Sequence, residues 1–258
     1  MNMYKIRFFV FPLLLFVSFC SLADNLPNVY RAVGLLDTPA ATKKAGGFFP
    51  KGMDGSRPNQ PPPNINLWNH TNGAETGLAR YDSGYVATTT LRTTALDWLG
   101  THLGNNGYIY HIRPTPNFID VNNTLRRYSP HPAEHEAASL GMIHWDQVVG
   151  WERVEYGRVH PFESNRDYNA QRYGGIVQGI PNVQPQLAGF PAGHVAWQQE
   201  PWVAFANCAS TSSSAYALSA SSSCSPKESS ESYGEDFFYK QNIGRWLPAA
   251  ISPLLLDN

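Results

Sequence analysis

The chain has 258 residues, with 19 Lys and Arg against 20 Asp and Glu, a net charge of −1, and 42% hydrophobic residues. That balance leaves no basic footprint for nucleic acid or anionic lipid, and the length suffices for one sizeable core plus an appendage. With 20 prolines and 21 glycines, short strands joined by irregular backbone are expected rather than long helices.

Residues 1–23 read as an export signal. Lys5 and Arg7 supply the positive end, Phe8 to Phe19 an apolar core, and Ser21-Leu22-Ala23 a small-residue cleavage site. The apolar run is short of the roughly 20 residues that span a bilayer, and no later segment reads as a membrane span. The mature protein is therefore expected to be secreted. Cleavage would remove Lys5, Arg7 and Cys20, taking the net charge near −3 and leaving Cys208 and Cys224. Outside the reducing cytosol those two read as one disulfide.

Residues 24–207 carry mixed apolar and turn signals and are expected to form the catalytic body. Strands are predicted at Val29–Val33, Gly84–Leu91, Tyr108–Arg113 and Val148–Tyr156. A helix is predicted after the second of these. Thr94 and Asp97 suit a cap and its partner, Ala95, Trp98, Leu99 and His102 share a face, and Gly104 ends it. Asn59–Pro63 reads as a proline-rich surface loop. His102, His144 and His194 read as surface or core-filling residues. Between Cys208 and Cys224 lie only Ser, Ala, Thr, Tyr and Leu, a loop with nothing to build a core. Closing about 15 residues contributes roughly 3 kcal/mol in the chain-entropy picture. The tail, 225–258, is too short for a domain of its own and is expected to pack on the body or enter a partner.

The segment Glu134-His135-Glu136 carries the candidate chemistry. In extended backbone the side-chain period of two would turn both carboxylates to one face and His135 to the other. Two acids on one rigid face can divide labour. One offsets positive charge developing at a sugar carbon, and the other handles the incoming nucleophile. In a helix the two glutamates would diverge, and the Glu, Ala and Leu residues of 134–140 are good helix formers. A zinc hydrolase is a rival, because His131 and His135 are four apart beside Glu136. Pro132 and the residue order do not give the His-Glu-x-x-His pattern, and no metal is expected.

The run from Tyr128 to Gly141, with Ser129-Pro130-His131-Pro132 leading into Glu134 and Glu136, closely resembles the Ser-Pro-His-Pro…Glu-x-Glu segment of the cholera toxin and heat-labile enterotoxin A chains. Val29-Tyr30-Arg31-Ala32 resembles that family's opening strand. Asn64-Ile65-Asn66-Leu67-Trp68-Asn69-His70 resembles its Asn-Ile-Asn-Leu…His segment. Arg80-Tyr81-Asp82-Ser83-Gly84-Tyr85-Val86 resembles the stretch before its Ser-Thr-Ser strand. Leu187-Ala188-Gly189-Phe190-Pro191 and Glu200-Pro201-Trp202 extend the similarity toward Cys208.

The resemblance implies a compact α+β ADP-ribosyltransferase fold with two perpendicular β-sheets, followed by a disulfide-tethered tail. It implies a toxin enzyme that transfers ADP-ribose from NAD to an arginine of a host protein, of which a G-protein α subunit is the family's best-known case. Glu136 matches the catalytic glutamate and Glu134 the acid that steers the acceptor. Arg31 matches the arginine supporting the NAD site, His70 a site histidine, and Ala32, Arg80, Ala87, Thr88 and Thr89 the surrounding walls. Cys208 and Cys224 match the disulfide that ties the catalytic part to a tail threading a B-subunit pentamer.

Three departures accompany the resemblance. Ala87-Thr88-Thr89 stands where the family has Ser-Thr-Ser, so a hydroxyl beside Glu136 is missing, and Thr88 is expected to point into the site. Val33 to Pro39 is longer than its counterpart and holds no arginine. No Lys or Arg lies between the cysteines, so trypsin-like nicking has no substrate there. The first two keep a second reading open, a non-catalytic toxin-like binding or decoy subunit.

Overall fold

The structure is a computed structural model that describes residues 28–56, 62–73, 81–175, 182–208 and 224–240, with side chains described to 237. The signal segment, most of Asn59–Pro63, Arg80, the interior of the 208–224 loop and the end of the tail lie outside the described residues.

The first strand, β1 (Val29–Val33), coincides with its predicted span. Helix α1 (Pro39–Ala45) follows because Thr38 accepts from Ala41 N, Pro39 presets the first turn, and Gly46 closes it at φ 89°. After β2 (Gly47–Phe48), α2 (Leu67–Asn72) starts where Asn66 accepts from Asn69 N. Strand β3 (Tyr85–Thr89) leads into α3 (Arg92–Leu103), which ends at left-handed Gly104 as expected. Its start differs from the prediction. Leu91 occupies the cap position without a side-chain bond, and Thr94 lies inside the helix. Only Ala95 and Leu99 of the expected face are buried, whereas Trp98 and His102 stack on each other outside it, ring centres 4.7 Å apart.

The chain continues through β4 (Gly107–Ile112), β5 (Phe118–Asp120) and α4 (Val121–Leu125), capped by Asp120. Then come β6 (Glu136–Leu140), β7 (Ile143–His144), β8 (Val148–Glu155), β9 (Arg158–Val159), β10 (Glu163–Ser164) and α5 (Ala170–Tyr173). The ribbon β11 (Ala206–Cys208) and β12 (Cys224–Pro226) carries the Cys208–Cys224 disulfide. Helix α6 (Ser230–Lys240) follows. No helix among the described residues is long and apolar enough to cross a membrane.

Strand pairing runs β10-β8-β4-β1-β3-β6-β5, with β9 beside β8, in an antiparallel sheet of eight strands. The pairing narrows to one residue pair, Tyr30 with Thr89, between β1 and β3, whereas β1 and β4 share five. The sheet therefore parts into two halves at this junction. Glu136 to Leu140 is strand despite its helix-forming composition, because it pairs on one side with β3 and on the other with β5. Two ladders of backbone bonds outweigh propensities of a few tenths of a kcal/mol per residue.

One core cluster joins Leu67, Ile119, Leu125, Ala138, Phe190, Trp197 and Trp202. A second joins Val29, Phe48, Tyr110, Ile112, Phe118 and Ile143. Each large apolar side chain so buried stabilises by about 1.5–3 kcal/mol. The buried indoles also satisfy their N–H groups, Trp202 Nε1 donating to Thr124 O and Trp197 Nε1 to Phe190 O, both at 3.1 Å. Helix α6 extends the first cluster. Phe237 is buried in it, Tyr233 meets Phe205 edge-on, and Gly234 sits against Ile65. This part of the tail takes the first of its two expected courses and packs on the body.

Candidate active site

Where β1 and β3 part, a cavity of about 130 Å³ opens. Tyr30, Arg31 and Ala32 of β1 form one wall and Ala87, Thr88 and Thr89 of β3 another. Thr94, Ala95 and Trp98 come from α3, and Glu134 and Glu136 complete the lining. Of the residues singled out in the sequence, Arg31, Ala32, Ala87, Thr88, Thr89, Glu134 and Glu136 thus meet in one place. His70 stands directly behind Glu136, and Arg80 lies outside the described residues.

Glu136 is the first residue of β6 and pairs with Thr89, which fixes its backbone in the sheet. Its Oε1 lies 2.8 Å from His70 Nε2, and both side chains are nearly buried. On the other side of the ring, His70 Nδ1 lies 2.8 Å from Ser83 Oγ, which also accepts the Tyr85 N–H at 3.2 Å. A neutral imidazole that donates from Nε2 to the carboxylate must accept at Nδ1, and the Ser83 hydroxyl is the donor in place. Sequence reasoning missed Ser83. The signal was within the quoted Arg80–Val86 stretch, but nothing in the sequence reveals that Ser83 reaches a histidine thirteen positions earlier.

The Glu-x-Glu segment is neither extended nor α-helical. Glu134 ends a 3₁₀ turn, Pro132–Glu134, and His135 adopts a left-handed conformation at φ 47°. The kink directs His135 to solvent while both carboxylates face the cavity. Thr90 N donates to His135 O and holds it. Burial pushes the Glu134 carboxyl above the usual glutamate range and the negative charge of Glu136 adds to this, with His131, His102 and His70 opposing.

Arg31 bridges the two halves of the sheet, donating from one terminal nitrogen to Ala87 O at 2.6 Å while its guanidinium lies 5.4 Å from the Phe48 ring centre. Burial lowers its pKa, against the raising influence of Asp37 and Glu136. Its Nε is buried without a partner among the described residues. Thr88 lines the cavity as expected, with its hydroxyl committed to Ala137 O, and the Thr89 hydroxyl accepts Leu91 N–H. Ala87 offers no hydroxyl, so the anchor of Glu136 is His70. Among the described residues no three or more His, Cys, Asp or Glu side chains are arranged to hold a metal ion.

Residues 5–250 match the profile of the heat-labile enterotoxin alpha chain family. The chain is 41% identical over 198 residues to the heat-labile enterotoxin IIA A chain of Escherichia coli, covering 75% of each. It is 40% identical over 203 residues to the NAD(+)–arginine ADP-ribosyltransferase Chelt of Vibrio cholerae, covering 77% of this chain and 32% of that one. A crystal structure of an E. coli heat-labile enterotoxin mutant superposes with a TM-score of 0.58 at 36% identity, covering 68% of this chain and 96% of that chain.

Proposed function

Since the chain belongs to the heat-labile enterotoxin alpha chain family, we propose that it is an NAD-dependent protein-arginine mono-ADP-ribosyltransferase, the A chain of an exported toxin acting on a host protein. One observation carries this reading: two carboxylates, Glu134 and Glu136, face a single cavity, and the second is anchored by a buried histidine. The cavity, about 130 Å³, suits one end of a dinucleotide, with the remainder along the surface. Glu136 offers an acceptor for a ribose hydroxyl, Arg31 Nε a donor without a partner among the described residues, and Ala32 and Ala95 apolar surface for a ring.

In this scheme Glu136 holds a ribose hydroxyl next to the reacting carbon. It offsets the positive charge that grows there as the bond to the nicotinamide nitrogen breaks, and nicotinamide leaves with that bond's electron pair. Glu134 orients the acceptor guanidinium, whose nitrogen forms the new bond, and receives the proton released. A guanidinium with a pKa above about 12 needs such an acceptor before it can attack. The raised pKa of Glu134 makes it a stronger base than an exposed glutamate. The decoy alternative rested on the hydroxyl missing at Ala87 and on the changed Val33–Pro39 segment; against it, Glu136 is held by His70 although position 87 offers no hydroxyl.

By the same resemblance, residues 1–23 direct export, 24–207 form the catalytic body, and 208–224 close the activation-type loop. The tail beyond α6 reaches a B-subunit assembly, with a G-protein α subunit as the acceptor class. The test uses protein lacking residues 1–23, measuring NAD cleavage and label transfer to an arginine acceptor. Glu136→Gln abolishes both, and Glu134→Gln chiefly removes transfer. Equal turnover by wild type and both variants refutes the assignment.

A further inference from the structure

We infer that Trp98 is the platform on which the acceptor guanidinium stacks while Glu134 holds its edge, an inference that rests on the transferase reading above. Trp98 is 37% exposed, unusual for a tryptophan flanked by buried Ala95 and Leu99 on the same helix. It lines the cavity that Glu134 and Glu136 share. His102, one turn further along α3, stacks against one face of the indole at an interplanar angle of 24°. The His102 ring is itself placed by its Nδ1, 3.2 Å from Trp98 O. One face of Trp98 is thus covered by His102, and the indole also borders the cavity.

The position selects the occupant. Trp98 and Glu134 line the same cavity, and of its two carboxylates Glu136 is already tied back to His70, which leaves Glu134 to meet the acceptor. A planar guanidinium stacks on an indole and presents its edge N–H groups to a carboxylate, which a compact ammonium does neither as well. Trp98 and Glu134 together therefore favour arginine over lysine.

The probes are agmatine, a guanidinium amine, and cadaverine, a primary diamine of comparable length, titrated into full-length mature wild type, Trp98→Ala and Trp98→Phe. Circular dichroism confirms that each is folded. Binding is read from ligand-observed NMR, and KM values for agmatine and NAD from transfer assays. Wild type is expected to bind agmatine in preference to cadaverine. Trp98→Ala should weaken agmatine by about 3- to 30-fold, the range of a cation–π contact, and weaken cadaverine less. Trp98→Phe should restore most of the loss. Unchanged agmatine affinity in Trp98→Ala, equal loss of both ligands, or a rise in the KM for NAD with that for agmatine unchanged overturns the inference; the last would mean that the indole faces the nicotinamide ring. Wild type that binds agmatine in this pattern yet consumes no NAD would sink the transferase reading and leave the platform standing.

Discussion

His70 Nε2 sits 2.8 Å from Glu136 Oε1, and the tautomer that permits this bond is set from behind by Ser83, 2.8 Å from Nδ1. Without the Ser83 hydroxyl the imidazole loses its only described donor at Nδ1 and can turn a bare Nε2 toward the carboxylate. Ser83→Ala is therefore expected to lower kcat about tenfold, the worth of one hydrogen bond of about 1.4 kcal/mol. Ser83→Thr, which keeps the hydroxyl, should retain most activity. The kcat for NAD cleavage by folded variants decides this, and an unaltered value in Ser83→Ala would remove Ser83 from the site.

Glu134 makes a stability prediction of the opposite sense to most carboxylates. Burial first, and repulsion from Glu136 second, raise its folded-state pKa. A raised acid binds its proton more tightly in the folded protein, so ionising it at neutral pH works against folding. Glu134→Gln should accordingly raise the melting temperature at pH 7. The gain should shrink as pH falls through the raised pKa and vanish below the ordinary glutamate value of about 4.3, where both states are protonated. Thermal melts of the two proteins between pH 4 and pH 8 test it, and a variant less stable at pH 7 would show that Glu134 makes favourable contacts instead.

Glu152 behaves in the reverse way. It is 8% exposed and accepts two bonds from Arg92, at 2.7 and 2.8 Å, and one from His111 at 3.0 Å. Burial alone would raise its pKa, but these bonds outweigh burial and hold it below the usual range. Removing one partner of a fully buried pair costs about 3–5 kcal/mol. Arg92 is 36% exposed, so solvent screening reduces the expectation for Glu152→Gln to about 2 kcal/mol. A depressed carboxylate contributes above its unfolded pKa and loses that contribution as pH falls through the folded one. The deficit should therefore close only in acid below the ordinary carboxylate range. Urea melts at pH 7 and pH 3 measure both ends.

These three networks also mark how far the sequence could be read. Alternation and turn residues placed β1, β4 and β8 to within a residue or so, because their register depends on local pattern. The start of α3 was misplaced because Thr94 suits a cap on chemistry alone, whereas the chain enters the helix at Arg92, where Glu152 draws the side chain across from β8. Strand β6 was ambiguous because its paired residues in β3 lie 47 to 55 positions away, from Thr89↔Glu136 to Tyr85↔Leu140, and those in β5 17 to 21, from Asp120↔Ala137 to Phe118↔Ser139. Of the site, Glu134, Glu136, Arg31 and His70 were legible through motif resemblance. Ser83 was not, since it owes its place to a tertiary contact with His70 that no spacing reveals, and Trp98 was placed on one helix face with His102 but not at the cavity.

Helix α6 gives the last prediction. Eleven residues long, it is marginal in water on its own, so its order depends on the side chains it buries. Phe237 is 4% exposed in the first core cluster. Beside it, a Cβ added at Gly234 would fall 2.4 Å from Ile65 Cδ1. Phe237→Ala removes about 3 kcal/mol of burial or more, and Gly234→Leu forces the helix off Ile65. Because the Cys208–Cys224 disulfide still tethers the chain, neither change should unfold the body, and both should free α6 alone. Amide exchange across residues 230–237 is expected to accelerate more than a hundredfold in either variant while exchange in β3 and β6 stays slow. Exchange that speeds up equally in the sheet would mean that α6 and the body unfold as one unit.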